Sequence, residues 1–290
     1  MRVFVDDACI DEPAVARLER LFHDLIERGF GQVVRRYNLL AARNKHMSLV
    51  ETYLNQIQSR IAALHATRMG QIEQAAEACA QCLMRKGVVH IHDTGHLVSA
   101  ELIKRAGGLV AFSRLNLGLN IDNPNLYRAA QPNPYGPQLG FVPFALRASH
   151  VRPGDVLIIG SVSGRTALQV ELALQARDMG VTTIALTAVA HSSQLTSEHP
   201  SGKRLFEVTD LLLDHPTDYG DAMIEVPGLP HKALPSSGIL AAALLWAVTA
   251  GVIERMVAAG MPPTVYRSVN LPGGPESVQA MERQYVEQGY

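Results

Sequence analysis

The amino-acid sequence predicts an α/β fold built on a parallel sheet and preceded by a helical arm. Three observations predict it. Apolar residues recur at helical spacing from Ala14 to Lys86. From Gly87 onward, short β-rich runs alternate with helical stretches, the pattern of βαβ units. Within that region a fully apolar strand, Val156 to Gly160, runs into a Ser-rich bend that opens a helix.

The arm reads as Val15, Leu18, Phe22, Leu25 and Ile26, then Tyr53, Leu54, Ile57, Ile61 and Leu64, then Met69, Ile72, Ala76, Cys79 and Leu83. This divides the chain into an arm over 1–86, an α/β domain over 87–275 and a C-terminal tail over 276–290. Strands are expected at Val88 to His92, Leu109 to Ser113, Val156 to Gly160, Thr182 to Thr187 and Leu211 to Asp214. Helices are expected near Gly95 to Arg105, Thr166 to Met179 and Ser237 to Ala259, with a short piece at Leu205 to Val208. The Asn- and Pro-rich stretch from Arg114 to Pro143 has no period and reads as a lid or an oligomer contact.

Composition narrows the function classes. With 290 residues, 47% hydrophobic and 18% charged, the chain is long enough for a large core plus an appendage. A formal charge of −1, from Lys+Arg 26 against Asp+Glu 27, removes the bulk electrostatic case for nucleic acid. Met1 to Asp11 carries Arg2, Asp6, Asp7 and Asp11 and has no apolar core of a secretion signal, so a cytoplasmic site is expected. The uncharged run in Ala233 to Ile253 includes Pro235, Ser236, Ser237 and Gly238 and reads as a buried helix, with no membrane partner expected. Cys9, Cys79 and Cys82 are odd in number, and Cys79-Ala-Gln-Cys82 lies inside a helical pattern, so neither a disulfide framework nor a redox motif is expected.

The bend Ser161-Val162-Ser163-Gly164-Arg165-Thr166 is the strongest local signal. Unbonded N–H groups and the positive dipole end collect at a helix N-terminus, so hydroxyls and a Gly placed there surround an anion without a Lys. Gly164 removes the Cβ that blocks close approach, and Thr166 suits both N-cap and ligand. The same hydroxyls also suit a plain helix cap. The bend falls at the carboxyl end of a strand, where open α/β sheets place their ligands.

The run from Pro153 to Thr166, with Thr94-Gly95-His96, Arg105 to Leu109, His199 to Leu205 and Val265 to Asn270, resembles the phosphosugar-binding signature of the SIS (sugar isomerase) domain family. It is similar in particular to a bacterial subgroup of uncharacterised sugar isomerase-like proteins and, more distantly, to phosphoheptose isomerase. The resemblance covers roughly Gly87 to Pro275. It implies a flavodoxin-like, three-layer α-β-α fold with a five-stranded parallel sheet, paired into a homodimer or tetramer. It also implies that Ser161, Ser163 and Thr166, with Gly164 and Arg165 of the same loop and Ser201 of a nearby turn, bind a phosphorylated sugar, and that Thr94 faces the sugar.

For catalysis, aldose–ketose isomerisation needs a base of near-neutral pKa and often a His. Glu101 lies on the helix where phosphoheptose isomerases carry a catalytic Glu, and His96 and His199 are placed to assist. Those isomerases also draw a Glu and a His from the helix opening the C-terminal segment, where this chain has Pro235-Ser236-Ser237-Gly238-Ile239. An isomerase acting on a phosphorylated sugar or amino sugar and a non-catalytic phosphosugar sensor both fit. No metal is expected, although His90, His92, His96 and Glu101 can be sketched as a cluster. No G-x-G-x-x-G or complete P-loop is present, so no NAD, ATP or other cofactor is expected.

Overall fold

The structure is a computed structural model that describes residues 48–94, 98–119, 127 and 139–290, with the backbone of two short paired strands near the N-terminus. His96, the arm before residue 48 and most of the Asn- and Pro-rich stretch lie outside the described residues. The chain divides into two compact units, Met1–Thr52 and Tyr53–Tyr290. In the first, β1 (Phe4–Val5) and β2 (Ala8–Cys9) pair antiparallel.

The second unit is built on a five-stranded, all-parallel sheet: β3 (Val89–Asp93), β4 (Phe112–Arg114), β5 (Val156–Gly160), β6 (Thr182–Thr187) and β7 (Leu211–Asp214). Its order is β4-β3-β5-β6-β7. The chain leaves β3 toward one edge and returns to β5 on its other side, so the order reverses between β3 and β5. That is the doubly wound flavodoxin-like order.

The two sheet faces are covered by different helices, and strand alternation assigns residues to each. Helix α1 (Leu49–Met84) and helix α6 (Ser237–Ala258) cover one face. Leu64, Ile72, Cys79 and Leu83 of α1 and Leu240, Leu244, Val248 and Val252 of α6 form one core with Ile91, Val156, Ile158 and Ile184. Gly251 permits the close approach of these helices, because a Cβ there would lie 2.8 Å from the Ala76 Cβ. Helices α3 (Val142–Ala148) and α4 (Ala167–Asp178) cover the other face, where Leu146, Val170 and Ala173 pack on Leu157, Ile159 and Ala185. Successive side chains of β5 therefore enter opposite cores. A fully buried parallel strand reads as an unbroken apolar run for this reason.

The apolar run over 237–258 is long enough to cross a membrane by length and composition. Here Leu240, Leu244, Leu245, Val248, Val252 and Met256 of that helix lie in the core. Cys79 and Cys82 are buried free thiols of α1, and burial pushes both upward from the usual thiol range, Cys82 to about 11.

Several elements differ from expectation. Helix α2 (Val98–Leu102) ends three residues before the expected Arg105, and β4 starts at Phe112 because Leu109 forms an antiparallel bridge with Val265 instead. Helix α5 (Val189–Ser192), a single 3₁₀ turn at Leu205–Glu207 and the hairpin β8 (Ala222–Ile224) with β9 (Ala233–Pro235) complete the connections. The segment expected as a polar tail is largely helix α7 (Gly274–Gln288). It is exposed along most of its length, with Tyr285 and Tyr290 packing against the first core, so few buried positions mark it in the sequence.

Candidate functional site

A cleft opens at the carboxyl ends of the strands, at the point where the strand order reverses. Asp93 and Thr94 at the end of β3, Gly160, Ser161 and Val162 at the end of β5, Leu186 of β6 and His215 after β7 line it, and Ser237, Gly238 and Ala241 at the start of α6 close it. Open α/β sheets place ligands in this crevice because the diverging connections leave it uncovered.

The bend after β5 is built to present N–H groups. Its carbonyls are occupied from outside: Val162 O accepts from Ala188 N–H and Thr187 Oγ1, Gly164 O from Leu205 N–H, and Arg165 O from Glu198 N–H. Bonding the carbonyls outward turns the N–H side of these peptides the other way. Among the described residues, none accepts from the N–H groups of Ser163, Arg165 or Thr166. Ser161 Oγ accepts the Gly164 N–H at 3.2 Å, which closes the bend, and Gly164 holds φ +55°. Thr166 is the extended N-cap of α4 and makes no side-chain cap bond, so this helix start keeps its donors open.

The other helix start at the cleft is already neutralised. The Asp221 carboxylate accepts the Ser236 N–H at 3.1 Å, the Ser237 N–H at 3.0 Å and the Ser237 hydroxyl at 2.6 Å. An acidic group already occupies the positive end of α6, whereas the positive end of α4 has no acidic cap. The two helix starts at the cleft therefore differ in charge, the open donors lying at the Ser161 to Thr166 bend.

Of the residues expected at the site, Thr94 and Ser161 line the cleft, and Ser163, Gly164, Arg165 and Thr166 continue the bend that begins there. The Arg165 guanidinium points to Glu198, with Nε 3.0 Å from Oε1. Glu101 is not among the lining residues: it pairs with Arg105 at 3.2 Å on the half-exposed α2. His199 and Ser201 are also outside the lining, on the flank of α4. The Ser201 N–H donates to His199 Nδ1 at 3.1 Å, which fixes Nδ1 as the acceptor, and Nε2–H donates to Glu171 at 2.9 Å. Both ring nitrogens are thus consumed in bracing that loop. His90 and His92 are buried on the α4 face of β3. Nδ1 of His92 donates to Leu115 O at 3.0 Å and Nε2 of His90 contacts Asp155 at 3.2 Å, while burial holds both imidazoles below the usual range. Among the described residues no group of three ligating side chains gathers for a metal.

Sequence reasoning missed His215, Asp93 and Ser237. One signal was available for the first two: each immediately follows, or ends, a strand at its carboxyl end, the edge where this fold places its ligands.

His215 is 1% exposed, and burial holds its imidazole at about 4, opposed in part by Asp221 and reinforced by His191. The ordinary value is 6.5. Between these values the unfolded chain binds more protons than the folded one. The stability this neutral imidazole contributes is therefore complete above pH 6.5 and is lost as pH falls toward 4, by roughly 3 kcal/mol. Urea titrations should show this acid-side decline, and His215→Gln should flatten it; an equal decline in the variant assigns the loss to other groups.

A family model described as the SIS domain matches residues 52–188. A UPF0309 protein of Shouchella clausii is 32% identical over 248 residues, covering 83% of this chain and 98% of the relative. A UPF0309 protein of Streptomyces coelicolor is 34% identical over 222 residues, covering 74% of this chain and 86% of the relative. Among solved structures, a phosphoheptose isomerase from Neisseria gonorrhoeae is similar at 20% identity and a TM-score of 0.45, covering 70% of this chain and 96% of its own. The chain belongs to the UPF0309 family of bacterial proteins and matches the SIS domain over residues 52–188.

Proposed function

We propose that the protein binds a phosphorylated sugar in the switch-point cleft, phosphate at the Ser161 to Thr166 bend, and interconverts its aldose and ketose forms by proton abstraction. The observation that carries this reading is the set of unaccepted N–H groups at Ser163, Arg165 and Thr166, on an α4 start without a side-chain cap. Backbone donors at a helix start suit a phosphoryl dianion. The match of residues 52–188 to the SIS domain supports the sugar, and the carboxylate and imidazole in the cleft, Asp93 and His215, supply groups able to move protons.

A second reading, a non-catalytic phosphosugar sensor, is favoured by one observation. Ser237 and Gly238 line the cleft at the helix start where the resemblance to phosphoheptose isomerases calls for a Glu and a His.

A panel of hexose, hexosamine and heptose phosphates followed by NMR separates the two. Aldose–ketose conversion supports the isomerase, and thermal stabilisation without conversion supports the sensor. For the bend itself, Ser163→Ala is expected to weaken sugar-phosphate binding by at least about 10-fold, since a hydrogen bond to a charged group contributes about 1.5–3 kcal/mol. Equal stabilisation of variant and parent by the panel would remove Ser163 from the phosphate site.

A further inference from the structure

We propose that His215 is the residue that exchanges a proton with the sugar, at the end of the cleft opposite the phosphate; this rests on the isomerase reading above. The open donors of α4 draw the phosphate to one end, and the Asp221 carboxylate at the start of α6 repels it from the other. A sugar phosphate therefore lies with its phosphate-free end toward β7 and α6. His215 lines the cleft there.

The imidazole is held in one orientation, and burial keeps it in the neutral form whose free lone pair can take a proton. Its Nδ1 lies 2.8 Å from Thr217 Oγ1, and Thr217 is in turn 3.4 Å from Ser236 Oγ, so the ring orientation is set from behind. Among the described residues none hydrogen-bonds Nε2. The backbone carrying the ring is also pinned: Arg60 donates to Pro216 O at 2.8 Å and pairs with Asp218 at 2.7 Å, and Arg68 pairs with Asp214 at 2.8 Å. Fixed imidazoles with one nitrogen anchored and the other facing substrate are suited to general acid–base work. His199, by contrast, spends both nitrogens on protein partners.

The step balances without a co-reactant. In an open-chain aldose phosphate, the Nε2 lone pair takes the C2 proton. The C2–H electrons become the C1–C2 double bond, and the C1 carbonyl π electrons move to O1, which gains a proton, giving an enediol. The enediol then loses its O2 proton as the C2 carbonyl forms, and the imidazolium returns its proton to C1. One hydrogen has moved from C2 to C1 and one from O2 to O1, with no net oxidation.

The test is deuterium incorporation at sugar C1 and C2 in heavy water, read by NMR, beside binding read by thermal shift, using the sugar-phosphate panel. His215→Gln is expected to keep its affinity within about 3-fold and to lose at least 100-fold in exchange rate, the range general acid–base groups contribute. Exchange at the parent rate in the variant overturns the proposal. So does a parent that binds a sugar phosphate without exchange, which leaves the binding half of the functional reading standing. A parent that binds none of the panel overturns that reading and this inference together. If His215→Gln does not fold, Thr217→Val keeps the imidazole but frees its ring. Exchange at least 10-fold slower with unchanged binding is then expected, and an unchanged rate overturns the assignment.

Discussion

Replacing Asp155 by Ala is expected to lower the unfolding free energy by about 4 kcal/mol, a large share of what a domain of this kind possesses. Asp155 lies in the turn before β5 and is 4% exposed. One carboxylate oxygen accepts the Val88 N–H at 2.9 Å, where β3 begins, and the other accepts the Arg152 N–H at 2.7 Å and faces His90 Nε2 at 3.2 Å. The side chain thus ties the entrances of the two central strands and the turn together. Truncation strands three donors in a region water reaches poorly, and each unsatisfied buried group costs about 1–3 kcal/mol. Asp155→Asn keeps an acceptor and the shape, so it should lose about half as much. Urea denaturation of the three proteins checks the order parent, Asn, Ala. A loss below about 1 kcal/mol for Ala would mean that water replaces the carboxylate.

The elements most legible in the sequence were those whose burial leaves one pattern only. Strands β5, β6 and β7 lie at the expected residues, because each is an apolar run bounded by turn residues and buried in a parallel sheet. The same rule failed for β4. Leu109, Val110 and Ala111 are as buried as a strand and so read like one, yet Leu109 pairs with Val265, a contact that sequence spacing does not report. The β8–β9 hairpin was invisible for another reason. Its strands have three residues each, too few to display a period of two, and Pro227, Gly228 and Pro230 between them read as loop.

The site divides along similar lines. The bend after β5 is contiguous, so its chemistry can be read from six adjacent residues. The remainder of the cleft is assembled from Asp93, His215 and Ser237, which come from three distant segments and meet only because the strand order reverses between β3 and β5. Glu101 and His199 attracted attention as residue types near recognisable motifs, but local geometry commits Glu101 to Arg105 and His199 to Glu171. Composition and spacing do not reveal which polar side chains are already engaged. The capping of α6 by Asp221, which makes the two helix starts at the cleft differ in charge, links residues 15 and 16 positions apart across the hairpin and carries no sequence signature.

Gly164→Ala is expected to lower stability and, with the phosphate at the bend as proposed, to weaken sugar-phosphate binding at least 100-fold. Two effects act together at this position. The backbone φ of +55° lies in the left-handed region, which costs a residue with a Cβ about 1–2 kcal/mol. The added carbon would also lie 3.0 Å from Ser192 Oγ, 3.2 Å from Thr187 Oγ1 and 3.3 Å from Leu205 Cβ. Ser192 is wholly buried and Thr187 is bonded to the carbonyl of Val162, so the floor beneath the bend has little room to yield. Relief must come from the bend itself, moving the Ser163, Arg165 and Thr166 N–H groups off a common point. The loss should therefore be larger than for Ser163→Ala, which deletes one hydroxyl and leaves the backbone in place. Isothermal titration with the best-binding sugar phosphate, beside thermal melts without ligand, checks both parts. A variant that melts about 5 °C or more below the parent yet binds with parental affinity would show that the bend relaxes without losing its donors, and the phosphate would then be held elsewhere in the cleft.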